Sequence, residues 1–180
     1  MTVYINTAGR IVGRIQGTDE IIELNTPDGC IAVDEPPGEH YYYMHPNWIP
    51  MPPRPDGFNE FDYTTKQWID PRTLDEIKAQ RWTEIKSERD RLEFGGFEFD
   101  GGIYDSDQVS QGRIMGAAAA GMDQVWTLAD NTTTHLTANE LVQLYQALQM
   151  HIAITHQRGR VAREAIMSAT TKDDVDAVTL

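Results

Sequence analysis

Short apolar runs separated by turn residues pattern the first part of the chain. Residues 3–5 and 11–15 are β-prone runs that flank a turn, which predicts a hairpin. Residues 21–24 and 30–33 are two more apolar runs, separated by a segment containing Pro and Gly, and predict two further strands. Residues 1 to about 35 are therefore predicted to form a small β module.

The next segment, residues 34–57, combines most of the nine prolines with a run of tyrosines and a tryptophan. Proline cannot donate to a strand ladder or continue a helix, so residues 48–55 are predicted to form an extended, polyproline-like connector. Two interpretations are open: an arm that docks on a neighbouring protein, or a connector whose rings cover its own sheet. In the first case the candidate partner-binding residues are Tyr41, Tyr42, Tyr43, Trp48, Ile49, Met51 and Pro53.

Helical spacing begins after a predicted hairpin at residues 58–70. Thr73 and Glu76 have the spacing of a capping box, in which each side chain bonds the other residue's backbone amide, and predict a helix over 74–93. Asp105 with Gln108 is predicted to open a second helix that runs to residue 120. Thr137 with Glu140 predicts a long third helix.

Two hairpins are predicted between these helices, one at residues 97–104 and one at 125–136. The last helix carries apolar residues at three- and four-residue steps, and this stripe suits either a trimeric helix seam or packing within one chain. The predicted fold class is α+β, with an N-terminal β module, a Pro/aromatic linker and a mainly helical C-terminal domain with short β-hairpins. The predicted divisions are residues 1–57 (module and arm), 58–72 (hairpin linker), 73–171 (helical domain) and 172–180 (tail).

Composition narrows the classes of function. The net charge of −13 argues against a nucleic-acid partner, because binding to phosphates depends on clustered Lys and Arg. No apolar run has the roughly 20 residues that a membrane span needs, so we expect no membrane partner. The start of the chain lacks the pattern of a secretory signal, which predicts synthesis in the cytoplasm. The single cysteine, Cys30, cannot form an internal disulfide.

Candidates for chemistry are few. The acidic residues of the first central hairpin lack the spacing of a calcium-binding EF-hand, so turn and capping roles are predicted for them. His151 and His156 are five residues apart on a helix and point in different directions, which prevents joint binding of one ion. Phosphate loops, nucleophile elbows and Cys–His pairs are missing from the sequence. We therefore predict a protein that is not an enzyme and has no catalytic, cofactor-binding or metal-binding residues.

A series of short motifs carries a family resemblance. They begin with residues 85–90 (IKSERD), 95–97 (GGF) and 104–107 (YDSD), and continue with 126–131 (WTLADN) and 136–137 (LT). In this order they resemble a domain of unknown function that recurs in tail and tail-fibre-region proteins of tailed phages. The resemblance extends to about residue 171, and the Pro/aromatic segment upstream is similar to the spacer found before that domain.

The resemblance implies a context and no catalytic activity. It implies a structural or interaction protein of a bacteriophage tail, baseplate or tail fibre, attached through its N-terminal region, with other tail or tail-fibre proteins as partners. It implies location in the virion after synthesis in the host cytoplasm, and a homotrimer, since tail appendages are commonly three-fold. One alternative is a tail-fibre assembly chaperone that is not retained in the virion. A second is a small enzyme that degrades host-surface glycans.

Overall fold

The computed structural model describes residues 1–180 and divides them into two compact units, Met1–Arg72 and Thr73–Leu180. Both helices and strands are present, which confirms the α+β class. Residues 58–72, expected as a linker, lie within the first unit, and residues 172–180, expected as a tail, lie within the second. Among the helices, none combines the length and apolar character that crossing a membrane requires.

The first unit is made of short strands and one short helix. They are β1 (Thr2–Ile5), β2 (Ile11–Ile15), α1 (Asp19–Leu24), β3 (Ile31–Asp34), β4 (Tyr41–Met44), β5 (Asn47–Pro50), β6 (Glu60–Asp62) and β7 (Gln67–Ile69). β1 is the centre of an antiparallel sheet with the order β2-β1-β3, and its residues Val3, Tyr4 and Ile5 are buried. The β4–β5 and β6–β7 hairpins are separate two-stranded sheets.

The strand predicted at residues 21–24 is wrong, because these residues belong to helix α1. Thr18 is extended and precedes two acidic residues, Asp19 and Glu20, in the first helical turn. Negative charge at a helix N-terminus is favourable, and here it outweighs the β preference of Ile21 and Ile22. A short apolar run is compatible with either element when nothing nearby fixes the period.

The connector predicted at residues 48–55 is also partly wrong. Its first three residues form most of β5, with Trp48 opposite Tyr43 and Ile49 opposite Tyr42. The turn of this hairpin contains a cis peptide bond at His45–Pro46. Pro50 ends β5, and because this sheet has only two strands β5 is an edge strand, in which a missing N–H is tolerated. Residues 51–55 lie outside any helix or strand, as expected of a connector.

The second unit alternates helices with hairpins. Its elements are α2 (Leu74–Phe94), β8 (Phe97–Phe99), β9 (Gly102–Tyr104), α3 (Gln108–Ala120), β10 (Gln124–Thr127), β11 (Thr133–Leu136), α4 (Ala138–Ser168) and α5 (Lys172–Asp176). Both predicted capping boxes are confirmed, at Thr73 with Glu76 and at Thr137 with Glu140. Helix α3 begins later than predicted, because its N-cap is Asp107 and not Asp105.

Two apolar clusters fill the second unit. The first joins α3, the beginning of α4 and the hairpins, and consists of Phe97, Tyr104, Ile114, Ala117, Leu136, Leu141, Leu144 and Leu148. Trp126 and Leu128 pack against it. The leucine stripe of α4 is thus buried within one chain. Of the two roles that the sequence left open, it has packing within the chain and not a trimeric helix seam.

The second cluster joins α2, the end of α4 and α5, and consists of Ile77, Ile85, Ala162, Ile166 and Val175. Val175 is fully buried, so the predicted tail is part of the packed unit. The Arg81 guanidinium donates to the Val178 carbonyl oxygen, at 3.1 Å from Nε. Helix α4 continues through Gly159, which is buried where the helix passes Arg89 of α2.

Candidate functional site

The first unit contains a groove of about 630 Å³ that we call the Arg–aromatic groove. Strand β2, the segment before β4, the connector and the β6–β7 hairpin supply its walls. Its lining residues are Arg10, Ile11, Arg14, Pro36, Gly38, Glu39, His40, Tyr41, Met51, Arg54, Asn59, Glu60, Phe61, Tyr63 and Trp68. Their spread from residue 10 to residue 68 shows that the groove forms only when the whole first unit is folded.

Phe61 is the centre of the aromatic wall. It contacts Tyr42, with ring centroids 5.4 Å apart and planes 29° from parallel, and meets Tyr63 edge-on at 5.1 Å. It also meets Trp68 edge-on at 5.4 Å, since these two residues are opposite each other in the β6–β7 pairing. Stacked and edge-on geometries are the favourable ones for aromatic rings, so this cluster stabilises the wall.

Two arginines lie over these rings. The Arg10 guanidinium is 5.7 Å from the centroid of Tyr63, and that of Arg54 is 5.6 Å from the centroid of Trp68. Arg54 is also held by its own connector, since its Nε donates to the Asn59 carbonyl and its Nη2 to the Gly57 carbonyl, both at 2.8 Å. A third arginine, Arg14, forms an exposed ion pair with Glu35 at 3.4 Å. The groove therefore combines flat apolar faces with cationic donors.

A second cavity, of about 490 Å³, lies in the second unit between α3 and the β10–β11 hairpin. Trp126 and Leu128 form its apolar side, and Arg113 and Asp105 contribute charge. Val125 of the same hairpin is 70% exposed. This cavity has one arginine and one tryptophan, and it lacks the paired rings and guanidinium groups that characterise the groove of the first unit.

Two acidic residues of the second unit, Asp107 and Glu140, have local hydrogen-bond partners. Hydrogen bonds from the Ser110 side chain and from the backbone amides of Ser110 and Val109 lower the pKa of Asp107, the N-cap of α3. Thr137 likewise lowers the pKa of Glu140 through their capping box. Burial, with the nearby charges of Asp100 and Glu140, raises the pKa of Tyr104. These carboxylates stabilise helix starts, which accounts for their positions without a ligand.

The histidines of α4 are engaged with α2 and its neighbours. His151 Nε2 lies 3.0 Å from the Leu92 carbonyl oxygen, and its ring stacks on Phe97 with centroids 5.8 Å apart. His156 Nε2 lies 2.9 Å from the Glu93 carboxylate. Both histidines join the end of α2 to the middle of α4. Clusters of three or more His, Cys, Asp or Glu side chains arranged to hold a metal ion do not occur in the structure.

Comparison with protein families places the second unit in a known group. The model of a domain of unknown function, DUF4376, matches residues 76–179, more than half of the chain. The chain belongs to the DUF4376 family. No curated protein and no solved structure matches it. The matched DUF4376 region lies within the second unit, so the Arg–aromatic groove belongs to the part of the protein that precedes it.

The structure gives the seven candidate partner-binding residues different environments. Tyr41 and Met51 line the Arg–aromatic groove. Tyr42 and Ile49 are half-buried and opposite each other in the β4–β5 hairpin.

The remaining three candidates lie away from the groove. The Tyr43 and Trp48 rings meet edge-on at 5.2 Å, and Trp48 Nε1 donates to the Asp34 carbonyl at 3.0 Å. Pro53 is exposed. The tyrosine and tryptophan rings of the hairpin thus make contacts within their own unit, and their contact with a partner stays a prediction.

Sequence reasoning did not assign the groove's arginines or its second hairpin to a site. Arg10, Arg14 and Arg54 are separated along the chain and have no shared motif. Phe61 and Trp68 were recognised only as hairpin residues. A usable signal was the charge distribution: residues 1–72 contain only five Lys and Arg residues, and three of them line this groove.

Proposed function

We propose that this DUF4376 protein is a structural, protein-binding component of a tailed bacteriophage, attached through its N-terminal region. The observation that carries the interaction role is the Arg–aromatic groove, an open concave surface with three arginines and several aromatic side chains. Residues that dominate binding energy at protein interfaces are enriched in Trp, Tyr and Arg. The groove therefore has the composition of a binding surface.

The tail, baseplate or tail-fibre location rests on the resemblance of the 85–137 motifs to tail-associated phage proteins. In this proposal the first unit holds a neighbouring tail or tail-fibre protein, and the DUF4376 unit supplies a rigid body packed around two apolar clusters. The protein is made in the host cytoplasm and becomes part of the virion. A homotrimer would use a surface other than the leucine stripe of α4, which is already buried inside the unit.

Quantitative mass spectrometry of purified particles tests this proposal. We expect the protein to be recovered in a fixed ratio to known tail proteins, and to stay with the tail when particles are separated into heads and tails. Recovery only from the infected-cell lysate would contradict the proposal and favour an assembly chaperone. Light scattering on the isolated chain tests the trimer, since a monomer at all concentrations would exclude self-association as the basis of a three-fold arrangement.

A different measurement distinguishes the structural proposal from the alternative of a glycan-degrading enzyme. Purified protein would be incubated with host-surface polysaccharide, and released reducing sugar would be measured. If the protein has a structural role, we expect that no sugar is released. Sustained release that increases with protein concentration would replace the interaction role with an enzymatic one.

A further inference from the structure

We propose that the Arg–aromatic groove binds an extended peptide segment of a partner protein in which acidic and apolar residues alternate. This inference rests on the proposed interaction function and adds the chemistry of the partner. Its first basis is charge. Residues 1–72 have five Lys and Arg residues against eleven Asp and Glu residues, yet three arginines and only two glutamates line the groove. The groove is thus far less acidic than the rest of its unit even with the Arg14–Glu35 pair, and this contrast favours an acidic segment at the groove over other surfaces of the unit.

The arginines also have donors available for a ligand. The Arg10 guanidinium lies over the Tyr63 ring and makes no hydrogen bond or ion pair. Arg14 uses its Nε towards Glu35, and 58% of its side chain is exposed. A guanidinium group carries five N–H donors in a planar fork that matches a carboxylate. Both arginines can therefore donate hydrogen bonds to a ligand carboxylate without first breaking a buried interaction.

The length of the site favours an extended ligand. Arg10 and Arg14 are four residues apart along β2 and its approach, which corresponds to at most about 13 Å of backbone, since the pairing with β1 is irregular between Ile11 and Gly13. An extended segment of about five residues covers this span, with a carboxylate near each end.

Strand β2 supplies a template for such a segment. It is at the edge of the β2-β1-β3 sheet, and β1 is its only strand partner. The outward backbone groups of an edge strand are free to pair with an added chain, and peptide recognition by strand addition uses this geometry. Ile11 of the same strand lines the groove beside the arginines. Backbone pairing favours a polypeptide over a polysaccharide of similar charge.

The other lining residues indicate which side chains the peptide ligand carries between its carboxylates. Pro36, Met51 and Trp68 present apolar surface in the groove. Because side chains of an extended strand point alternately to opposite faces, a segment with acidic residues on one face can place apolar residues against this surface. Arg54 is already fixed by the Asn59 and Gly57 carbonyls, so less side-chain freedom is lost when a ligand binds beside it.

Fluorescence anisotropy with the full chain tests the proposal. The probe is a labelled octapeptide that alternates Glu and Val, and the comparison probes are the Lys/Val peptide and labelled polygalacturonate. We expect saturable binding of the Glu/Val peptide that weakens as salt is added, and little binding of the Lys/Val peptide. The double variant Arg10→Gln/Arg14→Gln should weaken binding about tenfold, since each exposed ion pair contributes up to about fivefold.

Two further variants control for charge and folding. Arg158→Gln removes one positive charge, as Arg10→Gln alone does, from an exposed position on α4 and should leave binding unchanged. Arg10→Lys keeps the charge and removes the planar fork, so it should weaken binding less than Arg10→Gln.

Three results would overturn the proposal: no saturable binding of the Glu/Val peptide, equal binding by the double variant, or preference for the Lys/Val peptide or polygalacturonate. None of these depends on whether the protein is recovered from virions, so a failure here is distinct from a failure of the proposed tail function.

Discussion

The two units of the chain differ in how they are stabilised. Three apolar side chains are buried in residues 1–72, all on strand β1, whereas thirteen are buried in residues 73–180. The second unit is thus built around closely packed aliphatic clusters. The first unit depends instead on half-buried rings, cations over those rings, and hydrogen bonds across short hairpins.

This difference is informative about function. Burial of apolar area is the main favourable contribution to folding, so a unit with thirteen buried apolar residues has a strong basis for a fixed shape. A unit whose aromatic and cationic groups are half-exposed leaves part of their binding capacity to be used by a partner. The DUF4376 unit therefore has the stronger basis for rigidity, and the proposed recognition role is assigned to the unit before it.

The largest effect is expected from the centre of the DUF4376 unit. Leu144 is fully buried in the first cluster, so Leu144→Ala removes apolar contacts and leaves a cavity. The free energy of unfolding should fall by about 3 to 4 kcal/mol. Thermal unfolding followed by the helical circular-dichroism signal measures this. Val142→Ala, on the exposed side of the same helix, is the matched control and should change stability by less than about 1 kcal/mol. Equal losses from both would show that the cluster is not a packed core.

The next effect tests whether residues 172–180 belong to this unit. Val175 of α5 is fully buried against α2 and α4, so Val175→Ala should cost about 2 kcal/mol, through two lost methyl groups and a small cavity. Asp176→Ala changes an exposed residue of the same short helix and serves as the control. If Val175→Ala leaves the unfolding temperature unchanged, α5 does not contribute to the unit and the tail prediction from sequence is restored.

The first unit should respond to loss of ring pairing. Phe61→Leu keeps apolar volume but removes three aromatic contacts, at a cost of about 1 to 2 kcal/mol because the ring is only half-buried. Hydrogen exchange measured by mass spectrometry locates the effect. Faster exchange is expected in peptides from residues 1–72 and not in those from 73–180. Phe58→Leu is the comparison, since its ring is exposed and contacts the Arg72 guanidinium but no other ring, and it should change exchange less than Phe61→Leu. Faster exchange in the second unit would contradict the separate stabilisation of the two units.

Local chemistry determined which parts of the fold the sequence could predict. The capping boxes at Thr73 and Thr137 were predictable because each depends on residues three apart. The β6–β7 hairpin and the long α4 followed from apolar period and turn residues. Residues 21–24 were not predictable with the same rules, because a six-residue helix with no buried side chain leaves no periodic pattern to detect.

The candidate site depended on contacts that no local pattern encodes. Arg10 and Tyr63 are more than fifty residues apart, and only the folded unit brings them to 5.7 Å. The tyrosine run was given as a candidate partner-binding surface, which stays a prediction. Its pairing with β5 was missed, because the prolines of this segment indicated a connector and Pro50 at the end of the strand is compatible with either. Single prolines at strand ends do not prevent pairing.

The smallest expected effect is a loss of stability at acidic pH, through the carboxylates at the helix starts. Hydrogen bonds from Ser110 and Val109 hold the pKa of Asp107 below its ordinary value of 3.8. A carboxyl with a lowered folded-state pKa contributes stability above its unfolded pKa and loses that contribution as pH falls through the folded value. The stability of the DUF4376 unit should therefore decline below about pH 4, through Asp107 and the capping-box carboxylates Glu140 and Asp174, whose pKa values are also lowered.

Asp107→Asn isolates this contribution, because asparagine is an equally good N-cap residue but does not titrate. At neutral pH the variant should be about as stable as the parent, and between about pH 4 and pH 2 its stability should fall less steeply. Glu98→Gln, at an exposed strand position, should leave the slope unchanged. Parallel declines for Asp107→Asn and the parent would show that the cap carboxylate does not couple to folding. The DUF4376 unit would then owe its acid response to groups outside its helix starts.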